Sequence, residues 1–172
     1  MLRKQTRKSS SSLDASYRPD VGMVIFNADG MVFMGERLDS PGSWQMPQGG
    51  IDEGEAPEIA VFREMEEEIG TRNARILSMM EDWIYYDWPE KTAQKHWGGK
   101  YKGQKQKWIA LEFLGSDDDI NLEAFEQPEF RRWKWVHIVE LLDYAVYFKR
   151  DVYKKVMLEF KNHSEKIRLR NT

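Results

Sequence analysis

The chain contains no cysteine, and that one absence removes disulfides, thiolate catalysis and cysteine-ligated zinc together. Long hydrophobic runs are also missing: no apolar stretch approaches the roughly 20 residues that would span a bilayer. Charge of one sign is scarce in the balance, with a net of only −3 over 172 residues, so the whole surface is no electrostatic magnet for nucleic acid. The first twelve residues, Met1 to Ser12, are basic and serine-rich without an apolar segment, which argues against a secretory signal. Arg3, Lys4, Arg7 and Lys8 precede any acid, so this stretch reads either as a solvated tail or as an organellar address. A cytoplasmic location suits the missing cysteines.

What is present fits one globular domain, with 41% apolar and 32% charged residues. The charge is unevenly placed. Six lysines and no acid lie between Lys91 and Lys107, whereas Asp52 to Glu68 is strongly acidic. A basic and an acidic stretch within one small domain suit a polyanion held beside cations.

Along the chain, Val21 to Phe26 has strand length, Asn27 to Gly30 has turn chemistry, and Met31 to Gly35 completes a hairpin. Pro57 opens a helix that Gly70 stops. Arg75 to Tyr86 reads as one or two strands with a bend, and 87 to 104 as a long loop. Gln106 to Leu114 and Arg132 to His137 read as strands. Val139 to Leu142 can start a helix, and Arg150 to Phe160 forms an amphipathic one. Strands flanking single helices without regular alternation point to a mixed α+β layered domain. The expected division is a disordered tail over 1–16, one domain over 17–162 and a C-terminal tail over 163–172, with the protein a monomer.

Within the helix, Glu64, Glu67 and Glu68 recur at i, i+3 and i+4 and so share one face, neighbours about 5–6 Å apart. Like charges at that spacing repel, and hard oxygen ligands select Mg²⁺, Mn²⁺ or Ca²⁺. A solvated acidic face is the bland alternative. Against it, Arg63 can reach back to a carboxylate such as Glu55. Gly49 and Gly50 allow a tight turn just ahead of the helix, and the apolar residues keep to the other face.

Gly49, five residues, Glu55, seven residues, then Arg63-Glu64-Met65-Glu66-Glu67-Glu68-Ile69-Gly70 resembles the Nudix box, departing only at Thr71 where an apolar residue is usual. Tyr17-Arg18-Pro19, Trp44 to Gly50, Gly103 to Trp108, Pro128-Glu129-Phe130, Trp133 to Val136 and Phe148 to Tyr153 are similar to the RNA pyrophosphohydrolase and dinucleoside polyphosphate hydrolase group. The plant-type asymmetric diadenosine tetraphosphate hydrolases share these motifs, and Trp97-Gly98-Gly99 looks more like that branch.

The resemblance implies a Nudix fold, a mixed sheet sandwiched between α-helices, and a hydrolase of nucleoside 5′-polyphosphates. It implies one to three Mg²⁺ or Mn²⁺ ions on Glu64, Glu67, Glu68 and the Gly49 carbonyl, with Glu129 a further ligand or general base. Catalysis would rest on Glu64, Glu67 and Glu129, and Glu55, Arg63 and Gly70 would be structural. The substrate would be triphosphorylated RNA, cut at its 5′ end, or a dinucleoside polyphosphate. A nucleotide-sugar or nucleotide-sanitising pyrophosphatase, or a non-catalytic nucleotide- or RNA-binding module, are the alternatives.

Phosphate donors are sought among Arg18, Arg37, Gln48, Tyr86, Lys105 and Lys107. The two lysines share a strand face by their spacing, or are simply solvated. Tyr86 is either a donor or core. Val146 and Phe148 match positions that sandwich a base, or else pack the start of the last helix. Trp44, Trp83, Trp108, Trp133 and Trp135 read as core, and His96, His137 and His163 have no metal spacing.

Overall fold

The computed structural model describes residues 14–172. The expectation for residues 1–13 lies outside that range.

Strand β1 (Tyr17–Phe26) turns through Asn27–Gly30 into β2 (Val32–Arg37). The Asn27 side-chain carbonyl accepts the N–H groups of Asp29 at 3.0 Å and Met31 at 2.9 Å, fixing the turn locally. Short strands β3 (Trp44–Gln45) and β4 (Gln48–Gly50) lead to helix α1 (Pro57–Ile69). Pro57 sits where its missing N–H costs nothing, and Gly70 ends the helix in the left-handed region at φ 79°. The expected bend falls between β5 (Ala74–Met79) and β6 (Ile84–Asp87).

β7 (Gly103–Phe113) begins earlier than its apolar pattern suggests, because Gly103 to Lys105 pair with β1 without apolar side chains, and β8 (Phe130–Val136) takes in Phe130 and Arg131 ahead of its expected start. Helices α3 (Leu141–Tyr144) and α4 (Arg150–Arg170) close the chain.

The sheet is mixed. β1 runs parallel to β7 over its whole length, from Tyr17 opposite Gly103 to Phe26 opposite Glu112. β2 and β4 pair antiparallel with β1, β3 and β8 with β2, and β5 and β6 with β7. Strand alternation then divides the core into two layers. Val21, Met23, Ile25, Ile109 and Leu111 meet Val61, Met65 and Ile69 of α1 on one face. Val24, Phe26, Trp108 and Ala110 meet Val152, Val156 and Phe160 of α4 on the other. This is the expected sandwich of a mixed sheet between helices.

Two expectations are corrected. The 87–104 segment contains helix α2 (Glu90–Lys95) and a single 3-10 turn at Trp97–Gly99. None of the residues of these two elements is buried, so they leave no apolar period in the sequence. The final ten residues are also not a tail. Helix α4 runs through them to Arg170, with Ile167 buried in the core and Arg170 paired with the buried carboxylate of Glu112. Amphipathic spacing fades after Phe160, but buried Ile167, the Arg170 ion pair and side-chain hydrogen bonds from His163, Ser164 and Asn171 hold the last turns.

Candidate active site

The loop ahead of α1 is fastened to the helix by one guanidinium. Arg63 donates to both Glu55 oxygens, 2.9 Å from Nε and 2.7 Å from Nη2, and to the Gly50 carbonyl at 2.8 Å. Its remaining Nη1 reaches Glu64 at 2.8 Å and Glu67 at 3.4 Å. A planar fork with five donors suits this task where a lysine would not. Glu55 sits below the usual carboxylate range because Arg63 hydrogen-bonds it.

The three glutamates of the shared face differ in environment. Glu67 is exposed, Glu64 half-buried and Glu68 buried. Burial lifts the Glu64 carboxyl, partly offset by Arg63. Glu68 is pushed well above the carboxylate range by burial first, then by the charges of Glu64, Glu129 and Asp20. Its Oε2 is buried with no hydrogen-bond partner. Gly49 faces this cluster, and a Cβ there would overlap the Glu64 carboxylate. Among the described residues no three such groups converge on one point, and Arg63 is paired with Glu64. An orphaned buried carboxylate oxygen, oxygen-only donors and a cleared backbone approach nonetheless fit a hard divalent cation. Glu129 stands on an exposed loop whose carbonyl accepts the Leu38 N–H at 2.9 Å, and its charge acts on both Glu68 and Arg37.

Beside the glutamates, on the α4 side of the sheet, lies a small cleft of about 170 Å³ lined by Arg37, Gln48, Tyr86, Trp88, Thr92, His96, Trp97, Gln104, Phe148 and Lys149. Its floor is a closed polar network. Gln104 and Gln106 donate to the two oxygens of Asp20 at 3.2 and 2.9 Å. Gln106 and Lys149 both donate to the Gln48 carbonyl, at 3.1 and 3.0 Å. Gln48 and Tyr86 in turn donate to Gln104. Burial raises Asp20 to about 7 and lowers Lys149 to about 8, each tempered by the other's charge. Over the cleft, Trp97 occupies the left-handed region at φ 56° with the Arg18 guanidinium 4.1 Å from its ring centre.

The structure gathers Arg18, Arg37, Gln48, Tyr86 and Phe148 of the expected contacts around this cleft. Val146 is half-buried two residues from Phe148, which stacks on Tyr86 at 6.3 Å. Tyr86 is both core and cleft wall, with its hydroxyl given to Gln104. Lys105 and Lys107 do share a strand face, as period two requires, but it is the opposite face. Lys105 pairs with Asp14 at 2.6 Å, Lys107 donates to the Glu81 carbonyl, and both lie over Trp83.

Among the tryptophans expected in the core, only Trp108 is fully buried, with Trp44, Trp83, Trp133 and Trp135 half-buried. His96 is a cleft residue, while His163 bonds Ser78 and His137 caps the turn before α3. Sequence reasoning passed over Asp20, Lys149, Gln104 and Gln106. The signal was there for Asp20, the one acid inside the strand run from Tyr17 to Phe26.

An α-β-α domain that sets a crowded carboxylate face beside a cationic, aromatic cleft defines a class: hydrolases that act on phosphate chains. The NUDIX domain matches residues 16–156, and the chain belongs to the Nudix family. It is 53% identical over 149 residues to the RNA pyrophosphohydrolase of Rhodospirillum rubrum, covering 87% of this chain and 90% of that one. It is 46% identical over 160 residues to the chloroplastic Nudix hydrolase 26 of Arabidopsis thaliana, covering 90% of this chain and 74% of that one. Its fold is also that of the Escherichia coli dihydroneopterin triphosphate pyrophosphohydrolase, at 18% identity and a TM-score of 0.65 over 83% of this chain and 98% of that one. The chain is a hydrolase of pyrophosphate bonds, and its family generally uses divalent metal ions.

Proposed function

We propose that this enzyme removes pyrophosphate from the 5′ end of triphosphorylated RNA, with Mg²⁺ or Mn²⁺ as cofactor. The observation that carries the reading is that Glu68 of the glutamate face takes a Gln48 backbone N–H and lies within charge range of Arg37, Lys149 and Asp20 of the cleft. In the reaction, an anhydride bond between phosphorus atoms breaks, water supplies the new oxygen, and RNA keeps one 5′ phosphate while pyrophosphate leaves. Glu64, Glu67 and Glu68, with the Gly49 carbonyl and Glu129, would hold one to three cations. When bound, such cations neutralise phosphate oxygens and lower the pKa of a water.

The chain's own groups do the rest. Arg63 holds Glu64 in place, and Glu129 accepts the proton of the attacking water. Arg18, Arg37 and Gln48 donate to the phosphate oxygens. Phe148 and Val146 offer an apolar face to the first base, with Trp97 over the cleft. Tyr86 acts indirectly, by fixing Gln104.

Asymmetric cleavage of a dinucleoside polyphosphate is the second reading, favoured by the additional aromatic wall of Trp88 and Trp97 around the same cleft. Turnover with Mg²⁺ of 5′-triphosphorylated RNA against diadenosine tetraphosphate decides between them. Pyrophosphate from RNA as the dominant product supports the first reading, and ATP with AMP the second. No cleavage of either would refute both. A monomer acting in the cytoplasm, or in an organelle reached through the basic N-terminal stretch, completes the proposal.

A further inference from the structure

On the same face of the sheet as the cleft, at the β8 edge, Lys134 is clamped between two rings. Its Nζ lies 4.1 Å from the centre of Trp44 and 4.4 Å from that of Tyr144, and those rings are 6.5 Å apart at 63°. Neighbouring Arg132 also faces Trp44, at 5.4 Å, but together with Arg131 it is paired with the buried carboxylate of Glu36. Lys134 is different. Among the described residues no carboxylate lies within salt-bridge distance of it. An ammonium fixed by aromatic faces has already lost much of its rotamer freedom, and it has no internal anion to neutralise it. Two paired arginines and an unpaired lysine against one glutamate leave this edge net positive.

The clamp also leads to the cleft. Tyr144 ends α3, and only four residues on, Phe148 lines the cleft, with exposed Tyr147 between. Four residues reach at most about 14 Å. We infer that the Trp44–Lys134–Tyr144 clamp seats a backbone phosphate of single-stranded RNA beyond its first phosphodiester, downstream of the 5′ end in the cleft. A fixed cation flanked by aromatic surface is what a flexible polyanion carrying bases can use. This deepens the proposed function and rests on RNA as the substrate. A dinucleoside polyphosphate has no such downstream phosphate.

The test separates the clamp from the reaction. Binding of a fluorescent 5′-monophosphorylated RNA decamer is followed by anisotropy across a salt series, beside KM for a triphosphorylated RNA dinucleotide. Lys134→Gln is expected to weaken the decamer three- to tenfold and lower the log–log salt slope by about 0.7, the loss of one phosphate contact on a single strand. The dinucleotide KM stays within twofold, and Lys134→Arg keeps both values near wild type. Tyr144→Leu, which keeps the charge and loosens the clamp, weakens the decamer as well and provides the reading should Lys134→Gln fold poorly. An unchanged slope, or equal losses on decamer and dinucleotide, overturns the inference. An enzyme that cleaves no triphosphorylated RNA yet shows the Lys134-dependent slope would refute the substrate and leave the clamp standing.

Discussion

Arg63 grips Glu55 through two parallel hydrogen bonds of 2.9 and 2.7 Å, so a residue in the loop ahead of α1 and a residue in the helix's second turn form one unit. Glu64 and the Gly50 carbonyl are held by the same guanidinium. Glu55→Gln keeps the shape and removes the charge. Charge-assisted bonds contribute about 1.5–3 kcal/mol, and the partial exposure of Arg63 brings this one below that range. The expected loss is about 1 kcal/mol of unfolding free energy, a fall in Tm of roughly 2–4 °C in calorimetry. An unchanged Tm would show that the loop is held by other contacts.

Gly49→Ala tests the close approach to Glu64. The added Cβ meets the far end of a flexible side chain, which can swing away. Stability should therefore change little, while turnover with Mg²⁺ falls about 10²-fold because one carboxylate is displaced. A crystal structure of the variant should show Glu64 in another rotamer.

Glu67 and Glu68 make a contrasting pair. Glu67 is exposed, so Glu67→Gln should alter stability by less than about 0.5 kcal/mol and still remove most turnover. Glu68 is buried with an unpartnered oxygen, so Glu68→Gln should stabilise the metal-free protein by about 1 kcal/mol. Millimolar Mg²⁺ should raise the Tm of the wild type and fail to do so in Glu68→Gln. Wild-type turnover in Glu67→Gln would refute the metal-face assignment.

For Asp20, burial raises the folded pKa from 3.8 to about 7. A raised acid holds its proton in the fold while the unfolded chain has released it. Its contribution to stability is complete below about pH 4 and lost as pH climbs toward 7. Lys149 has the opposite shift, so its own effect lies higher, between about 8 and 10.5. In Asp20→Asn the decline between pH 4 and 7 should flatten, whatever constant offset the substitution brings. Urea unfolding at four or five pH values measures the slope, and parallel curves for the two proteins would contradict the assignment.

The box was legible because its chemistry and its spacing coincide: a helix period of 3.6 puts Glu64, Glu67 and Glu68 together whatever the rest of the chain does. The lysines of β7 were not. Period two fixes that Lys105 and Lys107 share a face, but which face depends on pairing with β1, where Asp20 stands opposite Gln106. That register sends the glutamines to the cleft and the lysines away from it. Lys149 was hidden in the same manner, since nothing local in Tyr147-Phe148-Lys149 says that a distant Gln48 receives it. The α2 turn and the end of α4 went unread because each is held by long-range contacts that no local pattern announces, such as Trp88 N–H to the Lys102 carbonyl and Arg170 to Glu112.

The cleft floor has a grain. Every donor in it points down a single slope, from Lys149 and Tyr86 through the amides of Gln48, Gln104 and Gln106 to rest on Asp20. Turning any one amide about sets donor against donor on one side and oxygen against oxygen on the other. The six polar side chains of this floor therefore behave as one keyed part, and evolution would have to recut them together or leave them alone.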